Sequence, residues 1–192
     1  VKDTFSLSLI FQSKLTNNPF SIANGYKLSI QKRIIFSNGT LQSYEDGNGT
    51  LVKLNYCYGN KYAFDDGSQR FIRLINGQYV LENPDYSTEI FDTNGNILFV
   101  KDKYGNFILR YEYSSERLIS VIFKENKTVH FNYVGDCLYE IEYTYSNNTY
   151  LTTLECSGNN VTVHHYSGVD YFGALTDNNA DEIAKSILSY AE

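Results

Sequence analysis

The sequence predicts an all-β protein, an antiparallel meander of consecutive hairpins ending in one short helix. Three observations lead there. Turn signals recur about every ten residues, near Gly49, Gly59, Gly67, Gly77, Asp85, Gly95, Gly105, Ser115, Asn126, Gly135, Asn147, Gly158 and Gly168. The segments between them alternate apolar and polar residues. The composition is rich in Tyr (18) and Phe (12), with only two Pro and no Trp or Met. Aromatic and β-branched residues suit a half-buried pleated surface, while Gly and Asn supply the positive-φ turn positions. A strand of ~5–6 residues plus a short turn accounts for the spacing. Intervals this short exclude parallel crossovers, which need a dozen or more residues.

The elements follow in order. "FSLSLIF" (residues 5–11) alternates and reads as a first strand. A polar loop, a turn at Gly25 and one longer strand or a pair of strands complete residues 1–40, which open the sheet. Residues 41–170 carry the hairpin repeats. In "NFILRYEY", Phe107, Leu109, Tyr111 and Tyr113 align on one face; in "EIEYTY", Ile141, Tyr143 and Tyr145 do. Period two means one dry face and one wetter face. "FIRLI" and "LISVIF" are apolar on both faces, which predicts cover on both sides. In residues 171–192 the period changes. Ile183, Ile187 and Leu188 lie on a 3.6-residue stripe, with Asp177, Asn178 or Asn179 as caps, predicting a helix from about Ala180 to Tyr190.

Charge and length exclude several function classes. The net charge is −6 and no basic stripe gathers the 16 Lys and Arg, so no nucleic-acid partner is expected. No apolar run approaches the ~20 residues a membrane-spanning helix needs. No signal peptide is visible, and Val1 is what an excised segment of a longer chain would begin with. Cys57, Cys137 and Cys156 are widely spaced. They read as free thiols, with a Cys137–Cys156 bridge between neighbouring strands as the alternative.

No constellation points to catalysis, and no cofactor or metal is implied. His164 and His165 are adjacent, so they point to opposite faces of a strand. His130 with Cys137 lacks a third orienting group. Glu140/Glu142 and Asp65/Asp66 read as solvated acids rather than a glycosidase pair. "DGNGT" (46–50) lacks the alternating acids of a Ca²⁺ loop and reads as a turn. The candidate ligand-binding residues are Tyr56, Tyr58 and Tyr62, whose amphipathic rings suit sugars and peptides. Tyr56 and Tyr58 share a face if the strand is regular.

Three stretches, "YEDGNGTLVKL", "FDTNGNILFVKDKYGNFILRYEYSSERLISVIF" and "VHFNYVGDCLYEIEY", resemble the YD (RHS) repeats of bacterial wall-associated and polymorphic-toxin proteins. Phe91-Asp92 with Gly95-Asn96-Ile97 matches one unit. Asp102, Gly105, Asn106, Tyr111, Tyr113, Arg117 and Leu118 match the next. "GYKLSIQKRII" resembles the region where such arrays begin, with Gly25-Tyr26 in place of the family's usual Gly-Trp. The resemblance spans roughly residues 5–170, and the signature is degenerate in 60–90 and 140–168. It implies a non-enzymatic module, secreted or displayed at the cell surface, in which repeats wind a sheet into a shell around another domain. Its partners would be other repeats or an enclosed C-terminal domain of the parent chain. The self-cleaving aspartate motif of complete shells has no counterpart here. The alternative reading is a carbohydrate- or receptor-binding β-domain using surface tyrosines.

Overall fold

The structure, a computed structural model, describes residues 7–11, 26–115, 117–123, 127–135, 137–145, 148–157, 160–167 and 181–189. Every regular element among them is a strand. The opening strands are β1 (Leu9–Phe11), β2 (Tyr26–Leu28), β3 (Arg33–Ser37), β4 (Thr40–Glu45), β5 (Leu51–Tyr56) and β6 (Lys61–Phe64). Next come β7 (Phe71–Ile75), β8 (Gln78–Glu82), β9 (Thr88–Phe91), β10 (Ile97–Lys101) and β11 (Phe107–Ser114). The longer strands follow: β12 (Arg117–Phe123), β13 (Lys127–Val134), β14 (Cys137–Tyr145), β15 (Asn148–Ser157), β16 (Asn160–Ser167) and β17 (Asp181–Ser189). β1 and β2 form a two-stranded sheet, and from β3 to β17 hydrogen-bonded order follows chain order. The predicted meander is therefore present, with its turns at the expected places as far as Gly135. The signals at Asn126, Asn147, Gly158 and Gly168 lie outside the described residues.

The C-terminal helix does not form. Asp181–Ser189 is instead strand β17, antiparallel to β16 from Asn160↔Ser189 to Ser167↔Asp181 with one bulge. An isolated helix of about eleven residues is marginal in water. The open edge of β16 offers a row of backbone partners, and a nine-residue segment satisfies its own backbone by joining it. Ala180 and Tyr190 lie outside the described residues.

The chain divides into two compact units, Val1–Ile10 with Leu28–Tyr111, and Phe11–Lys27 with Glu112–Glu192. In the first, the dry face is continuous across strands. Ile34, Tyr44, Leu54, Phe64, Ile72, Leu81, Phe91 and Ile97 are all buried, and register pairs Ile34 with Tyr44, Leu54 with Phe64, and Ile72 with Leu81. This face curls on itself. Arg33 bridges to Asn96 and the Ile34 N–H donates to the Gly95 carbonyl at 3.0 Å, joining the β3 edge to the turn between β9 and β10. In the second unit one face holds Val121, Val129, Phe131, Leu138, Leu154 and Val161, while Leu151, opposed to Glu142, is buried on the other. The double-sided cover predicted for "FIRLI" and "LISVIF" is only partial. Ile75 and Ile119 are exposed, and Phe71 is covered on its outer side by the cations Lys61 and Arg73, 3.9 and 4.7 Å from its ring centre.

Candidate functional site

The repeated Asp-x-x-Gly-Asn motif is a turn with a specific closure. In the first copy the Asp92 N–H donates to the Asn96 carbonyl (2.9 Å) and the Gly95 N–H donates to the Asp92 carbonyl (3.2 Å). The Asp92 Oδ1 accepts from the Asn94 and Asn96 N–H groups at 2.9 and 2.8 Å, and Asn96 Nδ2 donates to Oδ2 at 3.1 Å. Asp102 repeats the pattern on Tyr104 and Asn106, and Asp46 repeats its backbone part on Asn48 and Thr50. The carboxylate satisfies loop N–H groups that no strand can reach. Gly95 and Gly105 sit at φ +94 and +85, where a side chain is strained. The turn at Asn83–Ser87 has the same backbone closure although its sequence is Asn-Pro-Asp-Tyr-Ser, with Tyr86 in the glycine's place at φ +65. The motif is lost there and the geometry survives.

Three turn carboxylates, Asp66, Asp85 and Asp102, titrate below their ordinary range. Asp66 falls to about 2, first through the Ser68 side-chain hydrogen bond. Asp85 is lowered chiefly by the Ser87 hydroxyl and Asp102 chiefly by the Asn106 amide. A depressed carboxylate stabilises the fold above its unfolded pKa, and that contribution is lost as pH falls through the folded value. Urea midpoints should therefore hold from pH 7 to 5 and decline between about pH 4 and 2. Asp66→Asn combined with Asp102→Asn should flatten the decline.

The dry face of the first unit also holds a charged cluster. Glu89 is 5% exposed. It accepts from Lys32 Nζ at 2.5 Å and from the Tyr44 hydroxyl at 3.1 Å. Tyr44 packs edge-on against Phe64 and Phe91, and its pKa is raised, first by burial and then by the Glu89 charge. The hydroxyl therefore stays protonated and donates. On the opposite face of the same strands, Arg33 Nε donates to Glu45 Oε2 at 2.6 Å across the β3–β4 pair. This cluster escaped the sequence reading. One signal was available: Glu89 lies two residues before Phe91, on the dry side of "TEIF".

Of the three candidate tyrosines the structure brings two together. Tyr56 and Tyr62 are directly opposed on β5 and β6, with ring centres 5.4 Å apart. They continue the face of Leu54 and Phe64, beyond the point where it is covered; Tyr56 is 61% exposed. Tyr58 is not on a strand. β5 ends at Tyr56, so Tyr58 projects from the Cys57–Asn60 turn, 74% exposed, and does not share a regular face with Tyr56. The aromatic group extends where no sequence pattern could show it. Tyr62 raises the pKa of Tyr79, after burial as the main cause, and Tyr79 packs edge-on against Phe36 at 5.3 Å. Phe36, Tyr56, Tyr62 and Tyr79 thus form a partly open aromatic rim at the end of the first unit that carries the Asn38-Gly39, Gly59-Asn60 and Asn76-Gly77 turns.

The other repeat residues make packing and hydrogen-bond contacts within the sheet. Tyr111 is buried, which raises its pKa, and Tyr113 is half-buried. Arg117 donates to the Gly135 carbonyl at 2.6 Å and lies over the Tyr133 ring at 5.5 Å. His165 Nδ1 pairs with the Thr152 hydroxyl at 2.9 Å, and His164 stacks on Tyr166. Among the described residues no group of three His, Cys, Asp or Glu side chains is placed to hold a metal, and no helix is long and apolar enough to cross a membrane.

Fold and site together define a class: an all-β protein of consecutive antiparallel hairpins, several of whose turns are closed by aspartate. No family model matches the chain, and no curated protein matches it.

Proposed function

We propose that the chain is a non-enzymatic structural and interaction module of a bacterial secreted or surface protein of the RHS/YD-repeat type. It forms part of a β-shell that encloses or displays another domain. The observation that carries this reading is the repeated turn closure at Asp46, Asp92 and Asp102, set between strands that pair strictly with their chain neighbours. Chemistry that other proteins place in a pocket is here used to reverse the chain at short intervals. Such a chain extends a sheet indefinitely by adding hairpins. The test is to read the gene around this segment and to treat the whole protein with protease. Further Asp-x-x-Gly-Asn units, and a downstream domain that resists digestion until the repeats are cut, are the expected result. No further repeats on either side would overturn it.

The aromatic rim favours a second reading, a carbohydrate- or receptor-binding β-domain. Half-exposed Tyr rings stack on the apolar faces of sugars while their hydroxyls reach water. On a glycan array this reading expects a signal that Tyr56→Ala and Tyr62→Ala each reduce at least tenfold, with Tyr58→Ala weaker in effect. Silence on every glycan removes it.

A further inference from the structure

The outward face of the first unit carries a charge balance opposite to that of the chain. Strand register runs one cross-strand row through Lys61, Arg73, Val80, Ile90, Phe99 and Arg110, from β6 to β11. In β7, β8 and β9 the row adjoins the dry-face residues Ile72, Leu81 and Phe91, so it points away from the core. A second row runs through Phe71, Glu82, Thr88, Lys101 and Phe107. Simple alternation puts Phe107 with Leu109. The bulge between Val100 and Lys101 turns it outward instead, where its ring centre lies 5.2 Å from that of Phe99. Among the described residues, the outward positions of β6 to β10, and of β11 as far as Arg110, hold Lys61, Arg73, Lys101 and Arg110 against a single acid, Glu82. The whole chain has 22 acids to 16 Lys and Arg. Glu112, the next outward position on β11, accepts from the Ser120 hydroxyl.

Three of these cations rest on aromatic rings. Lys61 Nζ and the Arg73 guanidinium lie 3.9 and 4.7 Å from the centre of the Phe71 ring, and Lys101 Nζ lies 4.6 Å from that of Phe107. Side chains already ordered in this way lose less freedom when an anion arrives. Phe107 is exposed and Phe99 half-buried, so both rings remain open to a ligand. Glu82 approaches Arg73 only to 4.0 Å, with 36% and 45% of the two side chains exposed. An ion pair that long and that wet competes weakly with an incoming anion.

We propose that this face binds an acidic polysaccharide, a chain of pyranose rings bearing carboxylate or sulfate groups. Lys61 and Arg73 form one cationic end and Lys101 and Arg110 the other. β7 and β10 are three strand intervals apart, which separates the two ends by about 14 Å across the sheet. Between them Val80 and Ile90 make an uncharged ledge for the C–H faces of sugar rings, and Phe99 and Phe107 offer stacking beside it. A polymer with charges at intervals and apolar faces between them fits that alternation. A nucleic-acid strand, with a phosphate on every unit, would call for cations along the whole row. The face is separate from the aromatic rim, since Tyr62 points to the other side of β6 from Lys61, and it rests on neither functional reading given above.

The experiment titrates the purified chain with polygalacturonate and with heparin, with neutral dextran and a single-stranded oligothymidylate as comparison ligands. Expected is binding to one or both acidic glycans that weakens about tenfold or more between about 50 and 300 mM NaCl, and none to dextran. Arg73→Gln and Lys101→Gln should each weaken binding about threefold to tenfold, and Glu82→Gln should tighten it about twofold. Thermal melts establish that each variant is folded. Glu82→Gln decides the matter even where a cation variant unfolds, because it removes the opposing charge without touching a ring contact. Silence with both acidic glycans, or binding indifferent to Arg73, Lys101 and Glu82, would overturn the proposal. So would dextran binding as strong as that of the acidic glycans, or binding of oligothymidylate as tight as theirs.

Discussion

Gly95→Ala is expected to destabilise the protein by about 3 kcal/mol or more, and Gly105→Ala by only about 1–2 kcal/mol. The two glycines occupy the same position of the same turn, at nearly equal φ (+94 and +85). Both substitutions carry the cost of a side chain in the left-handed region. They differ in what a Cβ would meet. At Gly105 nothing lies within 4 Å; at Gly95 the Ile34 carbonyl oxygen lies 2.1 Å away. That oxygen belongs to backbone, so it cannot rotate aside. Moving it would pull apart the Ile34 N–H to Gly95 carbonyl bond and the Arg33↔Asn96 bridge, the contacts by which β3 meets this turn. Thermal melts of the two variants measure the difference directly, at roughly 2–4 °C per kcal/mol for a chain of this size. Equal losses would mean that the approach of β3 to Gly95 contributes nothing to stability.

Glu89→Ala should cost about 2–4 kcal/mol. The carboxylate is buried on the dry face and accepts from both Lys32 and Tyr44. Its removal leaves the Tyr44 hydroxyl without an acceptor among aromatic rings, and an unsatisfied buried donor costs about 1–3 kcal/mol. Lys32 loses its partner as well. Its side chain is 29% exposed and can turn to water, which keeps the penalty below that of a fully buried pair. Tyr44→Phe alone should cost less, because it also leaves Glu89 with the lysine. In the double variant the Tyr44 change should add almost nothing, giving a coupling of about 1–2 kcal/mol in a double-mutant cycle. Strict additivity would place the tyrosine's contribution in its ring contacts with Phe64 and Phe91 and not in the hydroxyl.

These two sites show where sequence reading stopped. The Asp-x-x-Gly-Asn units were legible because the interactions that make them are local: carboxylate to N–H two and four residues on, and glycine at the one position with positive φ. The faces of most strands were legible for the same kind of reason, since period two needs only the strand itself. Asn83–Ser87 shows the limit, because an asparagine and a tyrosine hold the same turn without the signature. Tyr58 shows another. Its face depended on where β5 ends, and a turn moved it off the strand.

Local chemistry in the chain therefore determined that it reverses every ten or so residues, pairs each strand with the next, and collects its apolar side chains on one face. It did not determine how that face closes. The approach of β3 to Gly95, the burial of Glu89 between Lys32 and Tyr44, and the meeting of Phe36 with Tyr79 join residues about forty or more positions apart. The fate of residues 181–189 was likewise settled by the open edge of β16, whose backbone partners outweighed a weak helical period. Contacts of that range depend on how strands twist and curl together, and no window of the sequence contains both sides of them.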